Sequence, residues 1–258
     1  MSKEMLPEER RDKIYNLLRE SKAKKVSELA RKFDVSRMTI RRDLKTLEER
    51  DLIRRTHGGA VARKKFRLDY SVEKRMQENK QLKQKIGLRA AELIKDHDYL
   101  ALDASTTVLQ LARNFPRRQN INVVTNGLLT SRVLSEQQEL KVILAGGEIR
   151  KEALSAVGSI ARKTIESFNF TRTFMSANAV SSVRGVNDTD MAEIAIKKSM
   201  IANSSQVIVL ADSTKLGQEA FSVTCELEEI DMLITDDKVE EKIINKFRKK
   251  EVEVLVAS

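Results

Sequence analysis

The sequence predicts an α/β protein in two unequal parts, an N-terminal winged helix-turn-helix domain and a larger C-terminal α/β domain suited to sensing a small ligand. Three observations carry this expectation. The stretch DVSRMTIRRDLKTLE, residues 34–48, has the form of a tight turn followed by an amphipathic helix with a basic outer face. Charge is unevenly divided: residues 1–67 hold 21 Lys/Arg against 11 Asp/Glu, whereas residues 68–258 hold 27 of each, so the whole net charge of +10 sits in the first quarter. From about residue 82 onward, short apolar runs alternate with helical stretches, the pattern of a mostly parallel sheet covered by helices.

Composition narrows the class. At 258 residues, with 33% charged and 41% hydrophobic residues, the chain is an ordinary water-soluble one. No apolar run approaches the roughly 18 residues that span a bilayer, and the opening MSKEMLPEERRDK is too polar for a signal peptide. A cytoplasmic protein with no membrane partner is expected. The lone cysteine, Cys225, excludes an internal disulfide, and its acidic surroundings (CELEEID) disfavour a thiolate, so it is read as structural. Two histidines, His57 and His97, give no metal-ligand spacing. Neither a metal nor another cofactor is expected.

The head, residues 1–62, reads as three short helices and a hairpin. Pro7 with Glu8 and Glu9 opens the first helix, which buries Ile14, Leu17 and Leu18. The second begins near Val26-Ser27, with Ser27 as cap, and buries Leu29, Ala30 and Phe33. After the turn at Asp34-Val35, Ser36 caps a third helix. On its wheel Ile40, Leu44 and Leu47 form the inward stripe, while Met38, Arg42 and Lys45 lie opposite, flanked by Arg37, Thr39 and Arg41. Long cationic and hydrogen-bonding side chains on one face suit base edges and phosphates in a major groove; a solvated basic helix is the plainer alternative. Two extended segments, Leu52 to Thr56 and Ala60 onward, then flank His57-Gly58-Gly59. This is a hairpin wing whose Arg54, Arg55 and glycine amides suit phosphate contacts without sequence information. His57 fits equally a turn residue bonded within its own loop. A basic membrane-surface segment is disfavoured because the apolar residues are spaced for several short core-facing helices. RNA binding is disfavoured by scarce aromatics, 4% of the chain.

The run TIRRDLKTLEERDLIRRTHGGAV resembles the winged helix-turn-helix signature of the DeoR family of bacterial sugar-metabolism repressors, with Asp51 where a glycine is usual before the wing. The resemblance continues in VEKRMQENKQLKQKIGLRAAELI. It implies a DNA operator as partner and repression as the sign of regulation. Residues 63–81 are polar, charged and free of Pro and Gly, and are read as a charged linker whose back half, from Val72, begins one helix running through Leu82, Ile86, Ala90, Leu93 and Ile94.

In the body, residues 82–258, candidate strands are Tyr99–Leu102, Asn122–Thr125, Lys141–Ala145, Thr173–Ser176, Val207–Ala211, Met232–Thr235 and Val252–Val256. Candidate helices are Thr106–Asn114, Leu128–Ser135, Ser159–Phe168, Met191–Asn203 and Val239–Lys249. Parallel sheets bind ligands beyond the carboxyl ends of their strands. There the chain places Asp103-Ala104-Ser105-Thr106-Thr107, Thr125-Asn126-Gly127, Gly146-Gly147-Glu148 and Asp212-Ser213-Thr214-Lys215. Hydroxyls, small residues, backbone amides and a cation on one edge point to a small, polyhydroxylated anion, and a phosphorylated sugar fits best. No Walker A loop or GxGxxG run is present, which argues against nucleotides.

The family resemblance implies an effector domain similar to ribose-5-phosphate isomerase and related sugar-phosphate enzymes. It also implies that Asp103–Thr107 and Asp212–Lys215 hold the effector phosphate, with Ala104-Ser105 where a glycine is usual. By the same resemblance Asp188 and Glu193 are expected near the pocket mouth, whereas Glu193 and Lys197, four apart, read as a surface helical pair. A sugar-phosphate isomerase or deaminase fused to a DNA-binding head is the competing class. It needs a positioned carboxylate or histidine, and Ser176-Ala177-Asn178-Ala179-Val180 after the fourth strand supplies neither. A regulator, not an enzyme, is expected. Because one small head reads little sequence, a homodimer or higher oligomer on repeated half-sites is expected too.

Overall fold

The computed structural model describes residues 7–20, 24–49, 53–56, 58–62 and 72–258. The chain divides into two compact units, residues 1–65 and 66–258.

In the first unit, α1 (Pro7–Glu20), β1 (Lys24–Lys25), α2 (Val26–Phe33) and α3 (Arg37–Glu49) precede the wing strands β2 (Ile53–Thr56) and β3 (Gly59–Ala62). Ile14, Leu18, Leu29, Ile40, Leu44, Leu47, Ile53 and Ala60 close one small core, with Leu17, Ala30 and Phe33 at its rim. Two local readings need correction. Ser27 is not the cap of α2: Lys25 holds that position without a side-chain bond, and Ser27 lies inside the first turn. The wing is three-stranded, because β1 pairs antiparallel with β3 and adds Lys24-Lys25 to its edge. The turn before α3 is made by Asp34 at φ 49°, a left-handed conformation that Asp tolerates better than most residues.

The second unit opens with α4 (Val72–Gln77) and α5 (Lys80–Ala91), not with one continuous helix. The break falls at Asn79, whose φ of 52° no helix interior accommodates. Then come β4 (Tyr99–Leu102), α6 (Val108–Arg113), β5 (Ile121–Thr125), α7 (Leu128–Ser135) and β6 (Leu140–Leu144), followed by the hairpin β7 (Glu148–Arg150) and β8 (Ser155–Val157). The chain continues through α8 (Gly158–Glu166), β9 (Arg172–Ser176), β10 (Ala179–Ser181), β11 (Gly185–Asp188), α9 (Met191–Ala202) and β12 (Val207–Leu210). It ends with β13 (Ser222–Cys225), β14 (Met232–Asp236), α10 (Glu241–Arg248) and β15 (Glu253–Ala257).

Seven parallel strands form the main sheet in the order β15-β14-β12-β9-β4-β5-β6, and each corresponds to one of the apolar runs read from sequence. Side chains alternate across it as the pleat requires. Leu100 and Leu102 join α5, α6 and α7 on one face, whereas Ala101 packs with α8 and α9 on the other. Met175, Val209 and Leu233 share a further cluster with Ile244 and Phe247 of α10. The strand order proceeds one way from β4 through β5 and β6, and the other way from β9 through β12, β14 and β15. The reversal falls between β4 and β9, which is where such sheets leave a crevice at their carboxyl ends. Two small sheets add to the strands read from sequence: the hairpin β7-β8 and the antiparallel sheet β10-β11-β13.

Candidate functional sites

The outer face of α3 takes shape from what its inner face must do. Ile40, Asp43, Leu44 and Leu47 are buried, so Arg37, Met38, Arg41, Arg42 and Lys45 are left outside, Met38 with 70% of its surface exposed. A methionine so exposed adds nothing to the core; on a groove-reading face it supplies an apolar contact. Ser36 caps the helix as expected: the Thr39 amide donates to Ser36 Oγ at 3.0 Å, and the two hydroxyls lie 2.9 Å apart. The half-buried Thr39 is thus partly engaged in the cap.

Asp43 is the functional support that sequence reading passed over. Its buried carboxylate accepts from Arg10 Nε at 2.7 Å and Arg11 Nε at 3.1 Å, clamping α3 onto α1. Its place three residues after Ile40 and four before Leu47 puts it on the inward stripe. That spacing was the available signal.

In the wing, exposed Arg55 is held by Glu48, through its amide at 2.9 Å and its Nε at 3.0 Å. Lys45 lies 3.8 Å from Glu49. Exposed pairs of this kind are worth about 0–1 kcal/mol. Gly58 is exposed. Gly59 is buried, and a Cβ on it would stand 1.9 Å from the Lys24 carbonyl. The second glycine therefore answers to the close approach of β1 and not to a ligand. Asp51, His57 and the side chain of Arg54 lie outside the described residues.

The body's cleft opens at the carboxyl ends of β4, β9 and β12, with about 740 Å³ of space including its mouth. Asp103, Ser105, Thr106, Asp188 and Lys215, all expected, line it. So do Arg75 from α4, Glu78 from the turn after it and Lys83 from α5, Arg150 and Ala153 from the β7-β8 hairpin, Ser176 to Asn178, and Asp190, Glu193 and Lys197. The other expected residues stand behind or beside it. Thr107 is buried, Thr125 accepts from the Gly127 amide at 3.0 Å, and Asn126 donates to the Ala156 carbonyl at 3.2 Å and to Glu193 at 3.4 Å. Asp212 caps a short 3-10 turn, and the Ser213 amide donates to Asp236 at 2.7 Å. Gly146 and Gly147 follow β6, the strand at the sheet edge, two places from β4, and are solvent-facing. Gly147 is needed because a Cβ there would meet the Val157 carbonyl at 2.5 Å.

Asp103 organises the cleft. One carboxylate oxygen accepts from the Ser105 amide and the other from the Ser176 amide, each at 2.9 Å, joining the ends of β4 and β9. Ser105 Oγ then accepts from the Val108 amide at 3.1 Å, where α6 begins, a bond that a glycine could not make. Lys215 Nζ donates to Ser176 Oγ at 3.0 Å.

Lys197 corrects the surface-pair reading. It is buried, and its Nζ donates to Asp188 at 2.8 Å and to the Ser176 carbonyl at 2.6 Å, with Asp103 at 3.6 Å. Burial alone works against its charge, but Asp188 and Asp103 outweigh that and hold the ammonium above its ordinary range. Asp188 also accepts from Thr224 Oγ1 at 2.9 Å and from the Asn178 amide at 3.0 Å. Glu193 accepts from Ser155 Oγ, and burial pushes its carboxyl up. Arg150 pairs with Asp190 at 2.8 Å. The signal for Lys197 was present: it lies three residues after Ile194 and three before Met200, on their buried stripe. Cys225 is buried, and burial followed by Glu229 pushes its thiol up to about 12, in line with the expectation that its thiolate is disfavoured.

Sequence comparison agrees with both halves. Residues 10–66 match the DeoR-like helix-turn-helix domain, and residues 78–237 match the DeoR C terminal sensor domain. The HTH-type transcriptional regulator GolR of Listeria innocua is 34% identical, over 98% of this chain and 100% of that one. The HTH-type transcriptional repressor GlcR of Bacillus subtilis is also 34% identical, over 98% of this chain and 97% of its own. Among solved structures, ribose 5 phosphate isomerase A from Neisseria gonorrhoeae covers 52% of each chain at 13% identity and a TM-score of 0.39, a likeness too slight to bear on chemistry or ligand. No described helix is long and apolar enough to cross a membrane.

Proposed function

The chain belongs to the DeoR family of helix-turn-helix transcriptional regulators, and from that premise we propose that it represses a sugar-utilisation operon and leaves its operator when a phosphorylated sugar fills the cleft. One observation carries the ligand class: at the reversal of strand order, Lys215 and Lys83 share a cleft with the hydroxyls of Ser105, Thr106 and Ser176 and with several carboxylates. Cations suit a phosphate. Carboxylates and hydroxyls suit the alcohols of a sugar. On the head, α3 reads the major groove through Met38, Arg42 and Lys45, with Arg37 and Arg41 beside them and Arg55 and Gly58 along the backbone. The protein acts as a dimer or higher oligomer in the cytoplasm, so that paired heads meet repeated half-sites.

The carboxylates raise the isomerase reading again, since Asp103, Asp188, Asp190 and Glu193 all line the cleft. Each already has a bonded duty: Asp103 holds two backbone amides, Asp188 holds Lys197 and Thr224, Asp190 holds Arg150, and Glu193 holds Ser155. A general base must reach a substrate proton, and these groups are occupied in building the walls. That favours a sensor.

The test selects bound fragments from genomic DNA, then titrates the complex with pentose and hexose phosphates and the matching free sugars. Release by at least one phosphate, and by none of the free sugars, is expected. Indifference to all of them would overturn the proposed effector class. Monomer alone in sedimentation, with and without DNA, would overturn the oligomer. Turnover of any of these phosphates that disappears in Asp103→Asn would restore the enzyme.

A further inference from the structure

Arg75 occupies a telling place for a cation that faces the cleft. It belongs to α4, the first helix after the head, and only residues 63–71 separate α4 from the last strand of the wing. Read from sequence, residues 63–81 are a charged linker in which a helix begins at Val72; in the fold Arg75 and Glu78 form part of the cleft wall. The Arg75 guanidinium reaches the hairpin opposite, where Nη2 donates to the Glu152 carbonyl at 3.3 Å. Its Nε is buried and has no acceptor among the described residues. Arginine presents its donors in a rigid planar fork, and a buried donor left unmatched is costly. An anionic oxygen in the cleft would supply the match.

The backbone around Arg75 is fixed to the same site. Asn79, at the break between α4 and α5, donates through Nδ2 to Asp212 Oδ1 at 3.0 Å and to Thr214 Oγ1 at 3.2 Å. Those residues belong to the loop after β12 that also carries Lys215. Lys83, on the far side of the break, donates to the Arg75 carbonyl. The C-terminal end of α4 is therefore tied to the cleft wall through Asn79 and Lys83.

We infer that Arg75 is an effector-contacting residue whose guanidinium, through Nε, binds the anionic group of the ligand. The helix that leads to the DNA-reading head is then itself a wall of the site, and occupancy orders it. This rests on the sensing role proposed above and adds where along the chain the ligand's charge is read.

The test uses the full-length protein with inorganic phosphate as probe, followed by calorimetry and amide hydrogen exchange. Wild type should bind phosphate, and exchange should slow in residues 72–77. Arg75→Gln should weaken binding by about tenfold or more and abolish the slowing, with its unliganded melting temperature close to wild type. Arg75→Lys keeps the charge without the fork and should fall between. Equal phosphate affinity in wild type and Arg75→Gln overturns the inference, as does protection confined to residues 103–107 and 176–178, or no binding at all. The two readings fail separately. Phosphate that protects α4 while no sugar phosphate alters DNA affinity leaves Arg75 in place and removes the effector proposal. Operator release by a sugar phosphate that is undiminished in Arg75→Gln does the reverse.

Discussion

On α3 the side chains assigned to DNA point outward, and the core beneath them is held by a separate set, Ile40, Asp43, Leu44 and Leu47. In the cleft of the body the division is lost. Asp103, Asp188 and Lys197 line the site and also hold its walls together. A groove-reading surface can be rewritten one residue at a time with little effect on folding, so operators can diverge freely on one scaffold. A cleft whose ligand-facing groups are also its struts cannot. Changes there alter stability and specificity together.

The strongest way to break this contrast is Lys197→Met. Removing the cation strands Asp188 and Asp103 in the interior, and loss of one member of a buried pair costs about 3–5 kcal/mol. Denaturant unfolding should show that loss in the body; a change below about 1 kcal/mol would mean that the cleft is not a strut. Asp43→Ala is the nearest equivalent in the head, where Arg10 and Arg11 lose their shared partner. A loss of about 1.5–3 kcal/mol is expected, with weaker binding to all DNA sequences alike because α3 is no longer clamped. Arg42→Ala sharpens the contrast from the other side. Operator affinity should fall by about 1–3 kcal/mol with relaxed specificity, while folding stability stays within about 0.5 kcal/mol of wild type. Uniform weakening across sequences would reassign Arg42 to phosphate.

The smallest effect concerns Cys225. With its thiol pushed up to about 12 from 9.0, the folded state holds this proton more tightly than the unfolded chain does. Stability linked to it is complete below pH 9 and declines as pH rises towards 12. Alkylation near pH 8 should be slow in the native protein and fast in denaturant. Rapid native labelling would show an accessible thiolate.

The same contrast explains what could be read from sequence. All seven strands of the main sheet were legible because strands buried on both faces read as continuous apolar runs. The outer face of α3 was legible because its basic residues lie together opposite Ile40, Leu44 and Leu47, whereas Asp43, a charged residue on the inward stripe, was not. In the cleft, strand ends pointed to Asp103, Ser105, Thr106 and Lys215, and the family resemblance to Asp188 and Glu193. Lys197 was misread because its i,i+4 spacing to Glu193, common to surface and buried pairs, outweighed its place on the stripe of Ile194 and Met200, which the packing against Asp188 makes plain. Arg75 and Glu78 were lost in a stretch whose charge resembles a linker, and whose break at Asn79 is marked by neither Gly nor Pro. Gly146 and Gly147 were placed in the site because sequence shows that a strand ends there but not that the strand is the outermost. The strands of β10-β11-β13, three or four residues long and mixed with Asn, Asp, Ser and Thr, carry no clear period.

The central claim is that what the protein reads is set on α3 and when it reads is set in the cleft. It is tested most directly by one anisotropy experiment on selected operator DNA, comparing wild type, Arg42→Ala and Lys215→Met with and without the releasing sugar phosphate. Lys215→Met should bind the operator as wild type does and no longer respond to the sugar phosphate, whereas Arg42→Ala should bind poorly and what remains should still be released. Loss of operator binding in Lys215→Met, with the variant folded, would contradict it.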